Sequence, residues 1–152
     1  PANYNMDGQL VLAGLKADLE SLVDTFKAAG AKRALVLDMS VASHCELLQS
    51  AVENLKPYLL EYLNDEFLDV VSNVSAEVYN TKDEAIEFLS SQLIAPVKYK
   101  QSIKAHDSKV DLYIEFGNGA VLKGLNKKSS EKPTLNVSDM KTLNETIEAL
   151  ND

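Results

Sequence analysis

His44 has the clearest chemical potential of any residue in this chain. It is one of two histidines, and it lies in the run Ser40-Val41-Ala42-Ser43-His44-Cys45-Glu46. An apolar stretch, Ala34-Leu35-Val36-Leu37-Asp38-Met39, precedes the run, and a helical pattern follows it. Ser43 with Glu46 at the i+3 position, ahead of apolar residues at helical spacing, has the form of a capping box. That reading places Ser43 at the N-cap and His44 at the first helical position. The positive end of the helix dipole then faces the imidazole and favours its neutral form. A neutral histidine at a strand-to-helix turn is what a general base requires. A histidine at a helix start is also at home as solvated surface, and the local residues leave both roles open.

The other reactive groups do not complete a site. There is no Gly-x-Ser-x-Gly elbow, Walker loop or dinucleotide fingerprint; Gly117-Asn118-Gly119 stops at two glycines and reads as a turn. Two histidines and one cysteine give no metal-ligand spacing. Cys45 adjoins His44, but neighbours on a helix point about 100° apart, which poses a Cys-His pair poorly. A small buried cysteine is the simpler role. His106, in Ala105-His106-Asp107-Ser108-Lys109, reads as solvated surface. Carboxylates are plentiful, but spacing singles out no pair. The residues thus offer a base and no nucleophile, and a chain with only one half of an acyl-transfer site would be incomplete.

Composition narrows the setting. A chain of 152 residues fits one domain or two small ones, and 45% apolar with 25% charged residues is ordinary for a globular protein. The net charge of −8 argues against nucleic acid or an anionic membrane as a partner. Lys32-Arg33 and Lys127-Lys128 are either basic spots for an anionic ligand or solvated charge. A single cysteine, no secretion signal and no apolar run near about 18 residues read as a soluble, cytoplasmic chain. The chain opens at Pro1, without a methionine and inside a strand-forming segment, which suggests a fragment.

The elements that must position His44 follow from periodicity. Residues 2–13 read as a hairpin with Asp7-Gly8 as turn chemistry. Leu15, Leu19, Leu22, Val23 and Phe26 recur at helical spacing, and Gly30 suits the C′ position, so 15–29 is a helix. A strand at 33–38 follows. Strand, strand, helix, strand is most of a ferredoxin-like unit, without its opening strand and first helix. After His44, Leu48, Ala51, Val52, Leu55, Leu59 and Tyr62 share one helical face, with a kink or break at Pro57 near Lys56. Residues 67–74 are a strand candidate, and 82–94 a helix with Ala85, Ile86, Leu89 and Leu93 inward. Pro96 opens a second helix to about His106. Val110 to Phe116 alternates as a half-buried strand, followed by a turn and a helix through Val121, Leu122 and Leu125. Thr134 to Val137 is a short strand, and Ser138 caps a last helix. Strands alternating with helices over 67–152 imply a parallel α/β layer.

Ser40-Val41-Ala42-Ser43-His44-Cys45 resembles the S-V-x-S-H/F segment that carries the catalytic histidine in malonyl-CoA:acyl carrier protein transacylases. Other segments match in the order that family shows them. Ala2-Asn3-Tyr4-Asn5 with Gly8 to Gly14 is similar to its N-x-N-x-x-G-Q-x-V-x-x-G hairpin. Ala28 to Ala34 resembles the segment before the histidine strand. Val71-Ser72-Asn73-Val74 resembles V-x-N-V, and Gln92-Leu93 with Pro96-Val97 and Tyr99 resembles Q-L-x-x-P-V-x-W/F. Glu115 to Gly119 with Val121-Leu122, Gly124-Leu125 and Lys127-Lys128 resembles E-x-G-P-G-x-V-L-x-G-L-x-K-R. Each motif is modest; the ordered set, over roughly residues 2–128, is specific.

The resemblance implies an α/β fold: a partial ferredoxin-like subdomain (1–39) joined to the C-terminal part of an α/β-hydrolase-like acyltransferase core (40–152). It implies an S-malonyltransferase of fatty acid biosynthesis with no cofactor, only coenzyme A thioester and phosphopantetheine substrates. An elbow serine takes malonyl from malonyl-CoA and passes it to acyl carrier protein. His44 is implied as the general base, and Gln92 as the residue that orients it through its backbone carbonyl. Asn5 and Gln9 match cleft-lining positions or serve the hairpin alone. The elbow serine and the arginine for the malonyl carboxylate belong upstream of Pro1 in the family. Arg33, the only arginine, sits in a different motif. Asn118 replaces the proline of the G-P-G turn, and Pro57 is foreign to the pattern. The chain alone is therefore expected to be an inactive C-terminal half. Its expected partners are the missing N-terminal half or a self-associated copy, with open strand edges and an apolar cleft face. The alternative is a non-enzymatic module of the same fold that binds acyl carrier protein or another chain.

Overall fold

The computed structural model describes residues 1–151. Among them are six α-helices and three separate two-stranded sheets. Strands β1 (Asn3–Met6) and β2 (Gln9–Val11) form the expected antiparallel hairpin. Gly8 supplies the left-handed corner of its turn at φ 82°. Helix α1 (Lys16–Ala28) follows. It ends in a Schellman motif: the Gly30 N–H donates to the Lys27 carbonyl and the Ala31 N–H to the Phe26 carbonyl, with Gly30 at φ 99°. These elements match the sequence reading because their signals are local.

Residues 33–38 do not form a strand. The segment is extended, but no neighbouring strand hydrogen-bonds to it, and Leu35, Val36 and Leu37 are exposed in succession. A strand is defined by its partner, and among the described residues there is none. The other apolar strand faces are open too: Leu68 is 88% exposed and Phe116 74%.

Helix α2 (Gln49–Tyr62) runs without a break and contains Pro57. The helix does not break and restart near Lys56; the Pro57 ring forfeits one hydrogen bond, to the Glu53 carbonyl, and the remaining turns hold. The next strands, β3 (Glu66–Val71) and β4 (Val78–Thr81), pair antiparallel. This corrects the expected parallel layer. The connection over 72–77 folds straight back, whereas a parallel pair needs a crossover of about a dozen residues or more. Ala76, at φ 67°, makes its left-handed corner. Thr81 caps α3 (Lys82–Ser91): its hydroxyl accepts the Glu84 N–H and donates to the Glu84 carboxylate. Ala85 and Ile86 turn inward from α3 onto the hairpin, where Tyr79 packs between Phe67 and Phe88 at ring separations of 6.1 and 5.3 Å.

Helix α4 (Tyr99–His106) begins after Pro96 and packs on β1. Just before it, Val97 bridges to Asn3: its N–H donates to the Ala2 carbonyl, and its carbonyl accepts the Tyr4 N–H. Strands β5 (Tyr113–Phe116) and β6 (Thr134–Val137), joined across helix α5 (Val121–Asn126), do pair parallel, as expected. Helix α6 (Met140–Asn151) closes the chain. Its cap is Asp139, not Ser138, because the Asp139 carboxylate accepts the Thr142 N–H.

An ion cluster ties the first hairpin to α4. Asp7 lies 2.8 Å from Lys100 Nζ and 3.0 Å from Lys104 Nζ, two lysines one turn apart on α4. The Lys100 hydrogen bond, then that of Lys104 and the charges of both, pull the Asp7 carboxyl down from 3.8 to about 2. The carboxylate therefore adds stability above about pH 4, and that stability is lost as pH falls toward about 2. Asp7→Asn should flatten this acid limb. Urea midpoints measured from about pH 2 to about pH 5 check it, and parallel curves for the two proteins would contradict it.

Candidate functional site

His44 is not the first residue of a helix. Its φ is 62°, in the left-handed region, and Cys45 after it is extended. A short 3-10 turn, Glu46–Leu48, then leads into α2. Neither Ser43 nor Cys45 makes a side-chain cap, so the capping box does not form. A non-glycine residue in this conformation costs about 1–2 kcal/mol, and a long-range contact accompanies it. The His44 Nδ1–H donates to the backbone carbonyl of Gln92 at 2.6 Å. A carbonyl has no proton to give, so Nδ1 must carry one and Nε2 keeps its lone pair in the neutral ring. The tautomer a base needs is thus set by a distant carbonyl rather than by a helix start.

The acceptor is well chosen. Gln92 is the C-cap of α3, where helix carbonyls lack intrahelical donors. The imidazole satisfies one of these orphans and meets the negative end of the α3 dipole. His44, Cys45 and Gln92 are all half-buried. The Cys45 thiol donates to the Ala42 carbonyl at 3.3 Å and is half-buried rather than enclosed. Beside the histidine run is an open cleft of about 340 Å³, lined by Ala13, Gly14, Leu15, Cys45, Glu46 and Leu47. The β1–β2 hairpin leads into it through residues 13–15.

The structure brings His44 and Gln92 together. Asn5, half-buried on β1, and Gln9, exposed on β2, make no hydrogen bond to either of them. Arg33 is exposed on the extended segment, away from any assigned element. No group of three or more His, Cys, Asp or Glu among the described residues has a metal-binding arrangement. No helix among them is long and apolar enough to cross a membrane.

Two residues escaped the sequence reading. His106 is buried, not solvated: its Nε2–H donates to the Ala76 carbonyl at 2.9 Å. Its polar neighbours concealed this, because the 3-10 turn Asp107–Lys109 carries them outward. Asn73 donates its side-chain amide to Gln92 Oε1 at 3.1 Å. Its place in Val71-Ser72-Asn73-Val74 marked the segment without assigning the side chain a part.

No family model matches the chain. Known proteins do. The malonyl CoA-acyl carrier protein transacylase of Bacillus subtilis (strain 168) is 39% identical over 154 residues, covering 99% of this chain and 49% of that protein. The transacylase of Escherichia coli (strain K12) is 38% identical over 130 residues, covering 84% of this chain and 42% of that protein. The crystal structure of the Helicobacter pylori transacylase superposes with a TM-score of 0.96 at 46% identity, over 99% of this chain and 49% of that one. A malonyl-transacylase in complex with a type II PKS acyl-carrier protein superposes at 0.92 with 34% identity, over 98% of this chain and 49% of that one. The chain spans about half the length of the curated relatives it matches. By sequence and by fold, over nearly all of its own length, the chain is a relative of the malonyl CoA-acyl carrier protein transacylases and matches about half of each.

Proposed function

We propose that this chain is the C-terminal half of a malonyl-CoA:acyl carrier protein S-malonyltransferase, with His44 as its general base. What supports the reading is the 2.6 Å contact between His44 Nδ1 and the Gln92 carbonyl, which leaves Nε2 free to accept a proton. In this scheme a serine hydroxyl on the other half gives its proton to His44 Nε2 as its oxygen attacks the malonyl-CoA thioester carbonyl. The coenzyme A sulfur leaves and takes that proton, and malonyl remains as a serine ester. The phosphopantetheine thiol of acyl carrier protein then gives its proton to Nε2 and attacks the ester. The serine oxygen leaves and recovers the proton. A carbonyl at a helix C-terminus has the right sign of charge to face the imidazolium that forms twice in this cycle.

The division into a ferredoxin-like part (1–39) and a core part (40–152) belongs to the same proposal, as does a cleft-lining place for Asn5 and Gln9. The malonyl carboxylate is bound by an arginine of the other half, not by Arg33. Acyl carrier protein as acceptor is supported by the relatives' names and by the solved complex of one of them.

Incubation with labelled malonyl-CoA tests the reading. The chain alone should take no covalent label. Mixed with the serine-bearing half of a relative, it should restore transfer to acyl carrier protein. Covalent labelling of this chain by itself would overturn the assignment.

A further inference from the structure

The turn between β3 and β4 is far more constrained than a surface loop needs to be. Ser72 is buried, its hydroxyl accepts the N–H groups of Val74 and Ser75, and its N–H donates to the Glu77 carbonyl. The Ala76 N–H returns to the Ser72 carbonyl. From the other side, buried His106 donates to the Ala76 carbonyl, fixing the turn to the end of α4. Asn73 sits on this platform. Its carbonyl accepts the Lys98 N–H at 2.8 Å, and its amide holds Gln92 Oε1 at 3.1 Å.

Gln92 is therefore held at both of its ends. Its side chain is tied to Asn73, and its carbonyl receives the His44 ring. No backbone N–H among the described residues donates to that carbonyl. Its direction depends on the torsions of residue 92 at the C-terminal end of α3, where the chain tightens from Phe88–Gln92 to Ser90–Leu93 hydrogen bonds. Fixing the side chain restricts those torsions. An exposed amide pair normally contributes little, because ordering it costs entropy; here the Asn73 backbone is already immobilised, so that cost is largely met by the turn.

We propose that Asn73 is a positioning residue for His44, acting through the Gln92 side chain. This rests on His44 as the general base. Its role differs from that of the Gln92 carbonyl: Asn73 touches neither the histidine nor a reacting atom, and it sharpens the aim of the carbonyl that does.

The test is a double-substitution cycle in the active assembly of this chain with the serine-bearing half. Asn73→Ala and Gln92→Ala should each lower kcat by roughly threefold to tenfold, the worth of one neutral hydrogen bond, with KM unchanged. The double variant should be no slower than either single one, because both remove the same link. In 15N-labelled protein the His44 ring should lose part of its Nδ1–H tautomer in both variants. Unchanged kcat in either variant, or losses that multiply in the double, would overturn the proposal. Should Asn73→Ala fail to fold, Gln92→Ala decides through kcat and the tautomer signal. A dead His44→Ala beside an unaffected Asn73→Ala sinks this proposal alone. Full transfer by His44→Ala removes the general base and the proposal with it.

Discussion

Replacing His44 by alanine in the proposed assembly with the serine-bearing half should lower kcat for malonyl transfer by roughly six orders of magnitude, the scale on which a catalytic base is lost from a serine-type site. In the proposed cycle the serine hydroxyl keeps its proton at neutral pH without Nε2, and neither acylation nor transfer to the acceptor thiol has a proton carrier. KM should move little, because a general base acts on the proton in transit and not on the bound substrate. His44→Asn is the informative companion. Asparagine tolerates the left-handed backbone found at φ 62°, so it preserves the local fold while removing the base. Both variants should bind malonyl-CoA and fail to form the serine ester, as read by covalent labelling and by single-turnover kinetics. Retention of more than a tenth of wild-type kcat by either would remove His44 from the role.

Asn126→Ala should be the most destabilising single polar substitution in the C-terminal part, by about 3 kcal/mol or roughly 9 °C in melting temperature. Asn126 is only 3% exposed. It accepts the Tyr99 hydroxyl at 2.7 Å and donates to Thr134 Oγ1 at 3.1 Å, joining α4, α5 and β6 through one side chain. Alanine leaves both partners unpaired in a site with little water access and adds a small void. The same burial, with the nearby Glu115 charge, raises the Tyr99 phenol to about 12 despite the Asn126 hydrogen bond. Wild-type stability should therefore fall as pH rises from about 10 to about 12, because the unfolded phenol ionises first. Urea unfolding at neutral pH reads the substitution directly. A loss below about 0.5 kcal/mol, the range of a neutral surface change, would show that the bridge carries no load.

Hairpin β1–β2, helix α1 with its Gly30 stop, β6 and α6 could all be read from the residues. Their signals lie within one turn or one helical repeat: Asp7-Gly8, apolar spacing from Leu15 to Phe26, alternation, and a glycine where φ must be positive. The ordered motifs did the same for kinship and for the pairing of His44 with Gln92, because short segments keep their identity wherever the chain carries them. Pro57 shows the limit of a local rule. One missing hydrogen bond is not enough to split a helix whose other turns remain intact.

Tertiary structure decided the rest, and in each case the deciding partner is remote in sequence. Ser43 and Glu46 have capping-box spacing, yet His44 swings into a left-handed conformation to reach a carbonyl 48 positions away. Residues 33–38 have a strand's composition, but composition cannot supply the neighbour that makes a ladder. Strand β4 escaped notice because its turn uses Ala76 rather than glycine for the left-handed corner. His106 looked solvated beside Asp107 and Lys109 until Ala76 was brought against its ring. Periodicity and turn chemistry determine what a segment can become. Hydrogen-bond partners across the fold determine what it does become, since a buried donor or an unpaired edge is satisfied only by groups that the chain's folding delivers.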